Sequence, residues 1–186
     1  MTKKELIFNA ALKLFVDKGF HGTATSKIAQ EASVANGTLF QYFKTKDDLV
    51  IALYISVKDE LNEYISINTS RKDDIKETIK SQVFSSLVWG LDNQTKIQYI
   101  QQFQTSPYIG QIEKEIIAKQ AEPHLTLLKK GIEEGIIKNL PIELLNSLMT
   151  SQFFGLYQFL IANKLSKSKQ QEIIQTTFEM LWDMIT

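Results

Sequence analysis

Short polar side chains and lysines are concentrated between residues 19 and 49, and their spacing suits contact with nucleic acid. Hydroxyl, amide and ammonium groups are the donors that most often meet phosphate oxygens and base edges. Thr25 and Lys27 stand at the start of a predicted helix, where backbone N–H groups also attract anions. Asn36 carries an amide that can pair with adenine, and Lys46 begins a later predicted helix. This chemistry is recognition of DNA and not bond making or breaking.

The elements that must position these side chains are helices, because apolar residues recur at helical spacing and not in alternation. The pattern predicts helices over about residues 2–18, 25–32, 36–43 and 45–66. Gly19 follows the first of them as a stop signal, and Thr45 with Asp48 resembles a capping box at the fourth. Two short helices cannot bury their own apolar faces, so the first helix must pack beneath them. This is the helix-turn-helix arrangement, whose second short helix enters the major groove of DNA.

The same stretch resembles the TetR family of bacterial transcriptional regulators. The matching positions run through both short helices and into the fourth, and the apolar residues among them keep one helical register. They are Ile28, Ala29, Val34, Gly37, Thr38, Leu39, Tyr42, Phe43, Lys46 and Leu49. The resemblance ends near residue 50. It implies an all-α protein with a three-helix DNA-binding head and a larger helical body for ligand binding and dimerisation.

The family resemblance also implies individual DNA contacts. Base contacts would fall on Ser26, Asn36, Gly37 and Phe40, and phosphate contacts on Thr25, Thr38, Tyr42 and Lys46. Two further candidates come from position alone: Lys27, in the first turn of its helix, and Gln41, which points outward if Leu39 points inward.

Four positions depart from the family pattern. Ser33 stands where the family usually has a turn glycine, so the turn must reach its backbone conformation without glycine. Ala24 stands where the family usually has a hydroxyl residue. Ala35 replaces the usual capping serine, so that Asn36 either caps the recognition helix or reads a base. Phe40 replaces the common tyrosine, which removes one phosphate hydrogen bond but keeps an apolar face for thymine methyl groups.

The chain divides into a helix-turn-helix domain over residues 1–48 and a helical ligand-binding and dimerisation domain over residues 49–186. Within the second domain the apolar pattern predicts helices near residues 74–91, 93–104, 107–119, 121–134, 141–163 and 168–185. The last two are long and strongly apolar. Two such helices from each of two subunits would form a four-helix homodimer interface. A dimer would place two heads ~34–36 Å apart on a palindromic operator.

Aromatic residues of the body could line an apolar ligand pocket, although ordinary core packing explains them equally well. The candidates for ligand contact are Trp89, Phe103, Tyr108, Phe154 and Tyr157. Few charges lie among them, which favours a neutral or lipophilic small-molecule effector, and residues 101–107 add polar groups at a helix end. We therefore expect a repressor that a ligand releases from its operator. The alternative is a DNA-binding regulator without a small-molecule effector, controlled by a protein partner.

Composition excludes several other classes. Without cysteine the chain has neither disulfides nor thiolate metal sites, and we expect no cofactor and no metal. It has only two histidines and lacks a glycine-rich phosphate loop or a nucleophile elbow, which argues against an enzyme. No signal peptide or membrane-spanning stretch is predicted, so we expect a cytoplasmic protein. Residues 1–50 hold seven lysines against five acidic residues, a weak basic excess, and Arg71, the only arginine, lies outside them.

Overall fold

The computed structural model describes residues 1–69, 74–112, 114–163 and 165–186. Within those ranges the regular elements are helices without any strand, which confirms the all-α prediction. In chain order they are α1 (Lys3–Gly22), α2 (Thr25–Glu31), α3 (Asn36–Tyr42), α4 (Lys46–Asn68), α5 (Ile75–Asp92), α6 (Gln94–Gln104), a 3-10 turn (Pro107–Gln111), α7 (Lys114–Glu133), α8 (Ile142–Ala162) and α9 (Lys167–Ile185).

The helices pack into two compact units. Unit 1 comprises residues 1–60 and 93–117, and unit 2 comprises residues 61–92 and 118–186. Unit 1 therefore combines the helix-turn-helix with the first part of α4 and with α6. The predicted domain boundary between residues 48 and 49 stays a prediction.

α1 forms the base of unit 1 through a single buried face. Ile7, Ala11 and Phe15, spaced four residues apart, are completely buried there. At the start of the helix, the Glu5 N–H donates to Thr2 Oγ1 at 3.2 Å and the Thr2 N–H donates to a Glu5 carboxylate oxygen at 2.8 Å. Gly19 leaves the helical conformation at φ 72° and ends the regular part of α1, as the sequence predicts.

α6 packs against α4 within unit 1. The Tyr99 hydroxyl donates to the Val50 carbonyl oxygen at 2.8 Å, and the ring of Phe103 stacks on Tyr54 with centroids 4.0 Å apart. Lys96 of α6 also forms an ion pair with Glu60 of α4. These contacts hold the part of α4 in unit 1 to α6.

The turn between α2 and α3 is closed by a serine in the left-handed conformation. Ser33 has a φ of 54°. Its N–H donates to the Gln30 carbonyl at 3.1 Å, and the Val34 N–H donates to the Ala29 carbonyl at 3.0 Å, the two bonds of a Schellman helix end. Ser33 thus adopts the backbone geometry that glycine usually supplies, at a cost of about 1–2 kcal/mol.

Ser33→Gly should therefore stabilise the protein. Relief of the left-handed strain outweighs the greater freedom of glycine in the unfolded chain, leaving a gain of about 0.5–1 kcal/mol. Urea unfolding followed by circular dichroism measures this as a higher midpoint with an unchanged slope. Ser26→Gly is the matched control, since Ser26 lies inside α2 and glycine there should lower the midpoint. A lower midpoint for Ser33→Gly would contradict the strain argument.

Unit 2 has its core where α5, α8 and α9 meet. Ile79, Leu145 and Phe178 are almost completely buried in it. At its edge, Lys76 Nζ lies 2.6 Å from a carboxylate oxygen of Glu179, and this contact lowers the pKa of the Glu179 carboxyl. α8 and α9 are thereby packed on α5 through apolar side chains, with charged groups confined to the rim.

The prediction of two helices over residues 107–119 and 121–134 is wrong. Residues 107–111 form a 3-10 turn, in which the Tyr108 N–H donates to Ser106 Oγ at 3.3 Å, and Ile112 is extended. α7 then continues through Pro123 to Glu133. A proline inside a helix removes one N–H from the hydrogen-bond series and its ring crowds the carbonyl four residues earlier, and the helical path of α7 continues in spite of both.

Candidate nucleic-acid interface

The polar residues of α2 and α3 are exposed because the apolar residues of both helices pack inward. Ile28, Leu39 and Phe43 are buried, and the Phe43 ring stacks on Phe8 of α1 with centroids 5.4 Å apart. The predicted DNA contacts accordingly lie on three consecutive elements of unit 1. Ser26, Lys27, Asn36, Gly37, Phe40, Gln41 and Tyr42 are exposed, and Thr25, Thr38 and Lys46 are half-buried.

α3 begins without a side-chain cap. Its N-cap residue is Ala35, with extended φ and ψ of −65° and 145° and no side chain that could accept a hydrogen bond. Asn36 is the first helical residue and is exposed, and its amide has no hydrogen-bond partner among the described residues. Of the two roles that the sequence left open for Asn36, the capping role is therefore wrong, and the amide is free to meet a base.

Gly37 is not required by the packing of the protein itself. A Cβ atom built at this position meets no other atom within 4 Å, and the backbone does not adopt a positive φ. The open space in front of Gly37 is on the exposed side of α3, next to Asn36. A glycine with no internal reason to be there suits a helix whose backbone comes close to DNA.

Two aromatic side chains of α3 stand in solvent. Phe40 is 41% exposed and Tyr42 is 47% exposed, although large apolar groups are normally covered. Phe40 can contact thymine methyl groups, and the Tyr42 hydroxyl can donate to a phosphate. Their exposure agrees with a surface that another molecule covers.

The first turn of α4 holds Lys46 without a counter-ion in the part of the chain that the structure describes. Thr45 and Asp48 form the predicted capping box, with both N–H to oxygen distances at 3.0 Å. Burial raises the pKa of Tyr108, and the nearby Asp47 carboxylate raises it further. Asp48 is thus engaged in the capping box, while the Lys46 ammonium remains available to a phosphate.

The basic charge of this surface is modest. Lys13 Nζ lies 2.9 Å from a Glu31 carboxylate oxygen, and that hydrogen-bonded pair raises the pKa of Lys13 and lowers that of Glu31. Lys44 is exposed and lies two residues before Lys46, yet it was not among the predicted contacts. Its spacing from Lys46 is the sequence signal that could have included it.

The residues predicted to contact a ligand fall in both units. Phe103 and Tyr108 belong to unit 1, whereas Trp89, Phe154 and Tyr157 belong to unit 2. All except Phe154 are buried. In unit 1, the Tyr108 and Phe103 rings pack edge-on against Phe20 at 5.2 and 6.4 Å. Their contact with a ligand stays a prediction.

A groove of about 490 Å³ lies in unit 1 beside α6. Its lining is Val16 together with Gln98, Gln101, Gln102 and Thr105, and it includes none of the five predicted ligand residues. Within the groove, Gln102 Nε2 donates to the Val16 carbonyl at 3.2 Å. The polar end of α6 therefore lies at an open surface and not at an apolar pocket.

Within the described ranges, the acidic and histidine side chains form no group that could hold a metal ion. Nor does any helix there combine the length and hydropathy that crossing a bilayer requires.

Comparison with known proteins assigns both parts of the chain. Residues 7–53 match the family model described as bacterial regulatory proteins, tetR family, and residues 54–186 match a tetracyclin repressor-like C-terminal domain. The fatty acid metabolism regulator protein of Bacillus subtilis (strain 168) is 31% identical over 140 residues, covering 71% of this chain and 69% of that protein.

Solved structures agree over the full length. A tetR family transcription regulator from Shewanella sp. PV-4 matches with a TM-score of 0.91 and 30% identity, covering 100% of this chain and 98% of that one. The transcriptional regulator FadR from Bacillus subtilis, solved in complex with stearoyl-CoA, shares the fold with a TM-score of 0.72 at 22% identity, covering 98% and 99%. The chain therefore belongs to the TetR family of bacterial transcriptional regulators, and is a DNA-binding regulator and not an enzyme.

Proposed function

We propose that the protein is a homodimeric repressor that binds a palindromic operator and is released from it by a lipophilic ligand. The DNA-binding head is residues 1–48, and residues 49–186 bind the ligand and the second subunit. A cytoplasmic location goes with this proposal, because the operator lies there. The observation that carries it is the exposed recognition helix α3, with a free Asn36 amide and an open Gly37.

The proposed DNA contacts divide into two kinds. Side chains that face base edges are Ser26, Asn36 and Phe40, with Gly37 allowing the approach and Gln41 beside them. Thr25, Lys27, Thr38, Tyr42 and Lys46 would hold the phosphates. Because arginine is absent from the head, affinity rests on lysine charge, hydroxyl groups and the doubling of contacts in a dimer.

The proposed dimer interface is the outer face of α8 and α9. On α8 the residues 144, 148, 151, 155, 159 and 162 form one stripe at helical spacing, and Leu144 and Phe159 are 45% and 47% exposed. On α9, Met180 is 66% exposed and Met184 is 43% exposed. Exposed apolar stripes on two adjacent helices suit the four-helix packing that two subunits would form.

The proposed ligand is an acyl compound. The relative from Bacillus subtilis is named as a regulator of fatty acid metabolism, and it matches most of this chain at 31% identity. The buried aromatic residues of unit 2, Trp89 and Tyr157 together with the partly buried Phe154, are side chains suited to an alkyl chain. Palmitate and stearoyl-CoA are therefore the first ligands to test.

Lys46→Ala should weaken operator binding and reduce its salt dependence. Removal of one phosphate contact should lower the slope of log K against log [salt] by about one, and the loss should be similar for all sequences. Tyr42→Ala should also weaken binding. Fluorescence anisotropy with a palindromic duplex chosen by in-vitro selection measures both effects at several salt concentrations.

Lys129→Ala is the matched control, because Lys129 is an exposed lysine of α7 with no place in the proposed interface. Its affinity and salt slope should equal those of the unaltered protein. Unchanged binding in both Lys46→Ala and Tyr42→Ala would reject the proposed contacts. If native mass spectrometry and the two acyl probes gave no effect on DNA binding, control by a protein partner would replace the ligand in the proposal.

A further inference from the structure

Tyr157 of α8 carries a buried hydroxyl group that has no partner. The residue is only 3% exposed, and its ring lies parallel to that of Phe153, with centroids 6.3 Å apart. Among the described residues, no atom accepts from or donates to its hydroxyl oxygen. A second atom of α8, Gln152 Oε1, is buried without a partner as well, although Gln152 Nε2 donates to the Thr177 carbonyl at 2.8 Å.

A buried hydroxyl normally finds a hydrogen-bond partner, since leaving it without one forfeits the hydration that it had in water. Tyr99 shows the ordinary case in this protein: it is equally buried, and its hydroxyl donates to the Val50 carbonyl at 2.8 Å. Burial raises the pKa of Tyr157, which keeps its phenol neutral and able to donate. Tyr157 therefore offers a free donor beside the aromatic ring of Phe153 in unit 2.

We propose that the Tyr157 hydroxyl donates a hydrogen bond to the carbonyl or carboxylate oxygen of an acyl ligand bound within unit 2. This inference rests on the proposed function, which supplies the ligand class. The aromatic ring of Phe153 gives an alkyl chain an apolar neighbour, and the phenol distinguishes an acyl group from a plain hydrocarbon. Tyr157 is thus a specificity-determining residue of the ligand site.

The test is Tyr157→Phe, which removes the hydroxyl and keeps the ring. In the free protein the Tm should stay the same or rise, because the lost group had no partner. With palmitate or stearoyl-CoA as the probe, the variant should need about tenfold more ligand to leave the operator, the loss expected for one hydrogen bond to a buried group. Its affinity for the operator without ligand should be unchanged.

Tyr99→Phe is the matched control for stability, because it removes a phenol that does have a partner, and its Tm should fall. A similar fall in Tyr157→Phe would show that the hydroxyl is satisfied in the free protein and would overturn the inference. Equal release of Tyr157→Phe and the unaltered protein by both probes would also overturn it, while leaving the acyl effector in place. If neither probe released the unaltered protein, the acyl effector and this inference would both fall.

Discussion

Gly155→Arg should convert the protein from a dimer to a monomer and lower operator affinity by about two orders of magnitude or more. Gly155 lies in the middle of the outer stripe of α8, and a Cβ atom built there meets nothing within 4 Å. The single chain therefore has room for a side chain at this position. In the proposed dimer, the same space is filled by α8 or α9 of the partner, so an arginine would be buried without a counter-charge.

The loss of DNA affinity follows from the loss of bivalence. Two heads on one dimer bind as a linked pair, which raises affinity about 10²–10⁴-fold over a single head. Sedimentation equilibrium gives the oligomeric state, and anisotropy on the palindromic duplex gives the affinity. The Tm of Gly155→Arg must be read at matched concentration, because dimer dissociation alone lowers it.

Thr126→Arg is the control for Gly155→Arg. Thr126 is exposed on α7, away from the α8 stripe and from Met180 and Met184 of α9. An arginine there adds the same charge outside the proposed interface and should leave both the dimer and its affinity intact. A fully dimeric Gly155→Arg would place the interface elsewhere on the protein.

Local rules account for most of what the sequence predicted correctly. The helix-turn-helix depends on residues within a few turns of one another, and its apolar register led directly to the buried Ile28, Leu39 and Phe43. The capping box of Thr45 and Asp48 is likewise a pattern of near neighbours, and both of its bonds are present. Such features are readable because their energy comes from short-range spacing.

Features that depend on distant residues could not be read in this way. The bond from Tyr99 to Val50 joins residues 49 positions apart, and no local pattern indicates that α6 packs with the head in unit 1. The role of Asn36 could not be decided from the sequence either, because an asparagine suits both a helix cap and a base contact. At Pro123 the general preference of proline for helix ends predicts a break, yet α7 runs through it from Lys114 to Glu133.

Gly37→Leu should weaken operator binding strongly and leave the free protein at least as stable. A leucine side chain would lie where the DNA backbone or base edges are proposed to approach α3, and displacement of the helix would cost the contacts of Asn36 and its neighbours. Contacts of this kind contribute about 1–3 kcal/mol each, so that a loss of tenfold or more is expected. In the free protein, glycine is a poorer helix former than leucine, so the substitution should raise the Tm or leave it unchanged.

The opposite signs of the two effects make this prediction specific. A variant that merely damaged the fold would lose stability and DNA binding together, whereas Gly37→Leu should lose only the second. Gly110→Leu provides the matched control, because a Cβ atom at Gly110 also meets nothing within 4 Å, and the 3-10 turn has no proposed part in DNA contact. If Gly37→Leu bound the operator as tightly as Gly110→Leu, the backbone of α3 would not approach the DNA at this residue. The recognition surface would then have to lie elsewhere on unit 1.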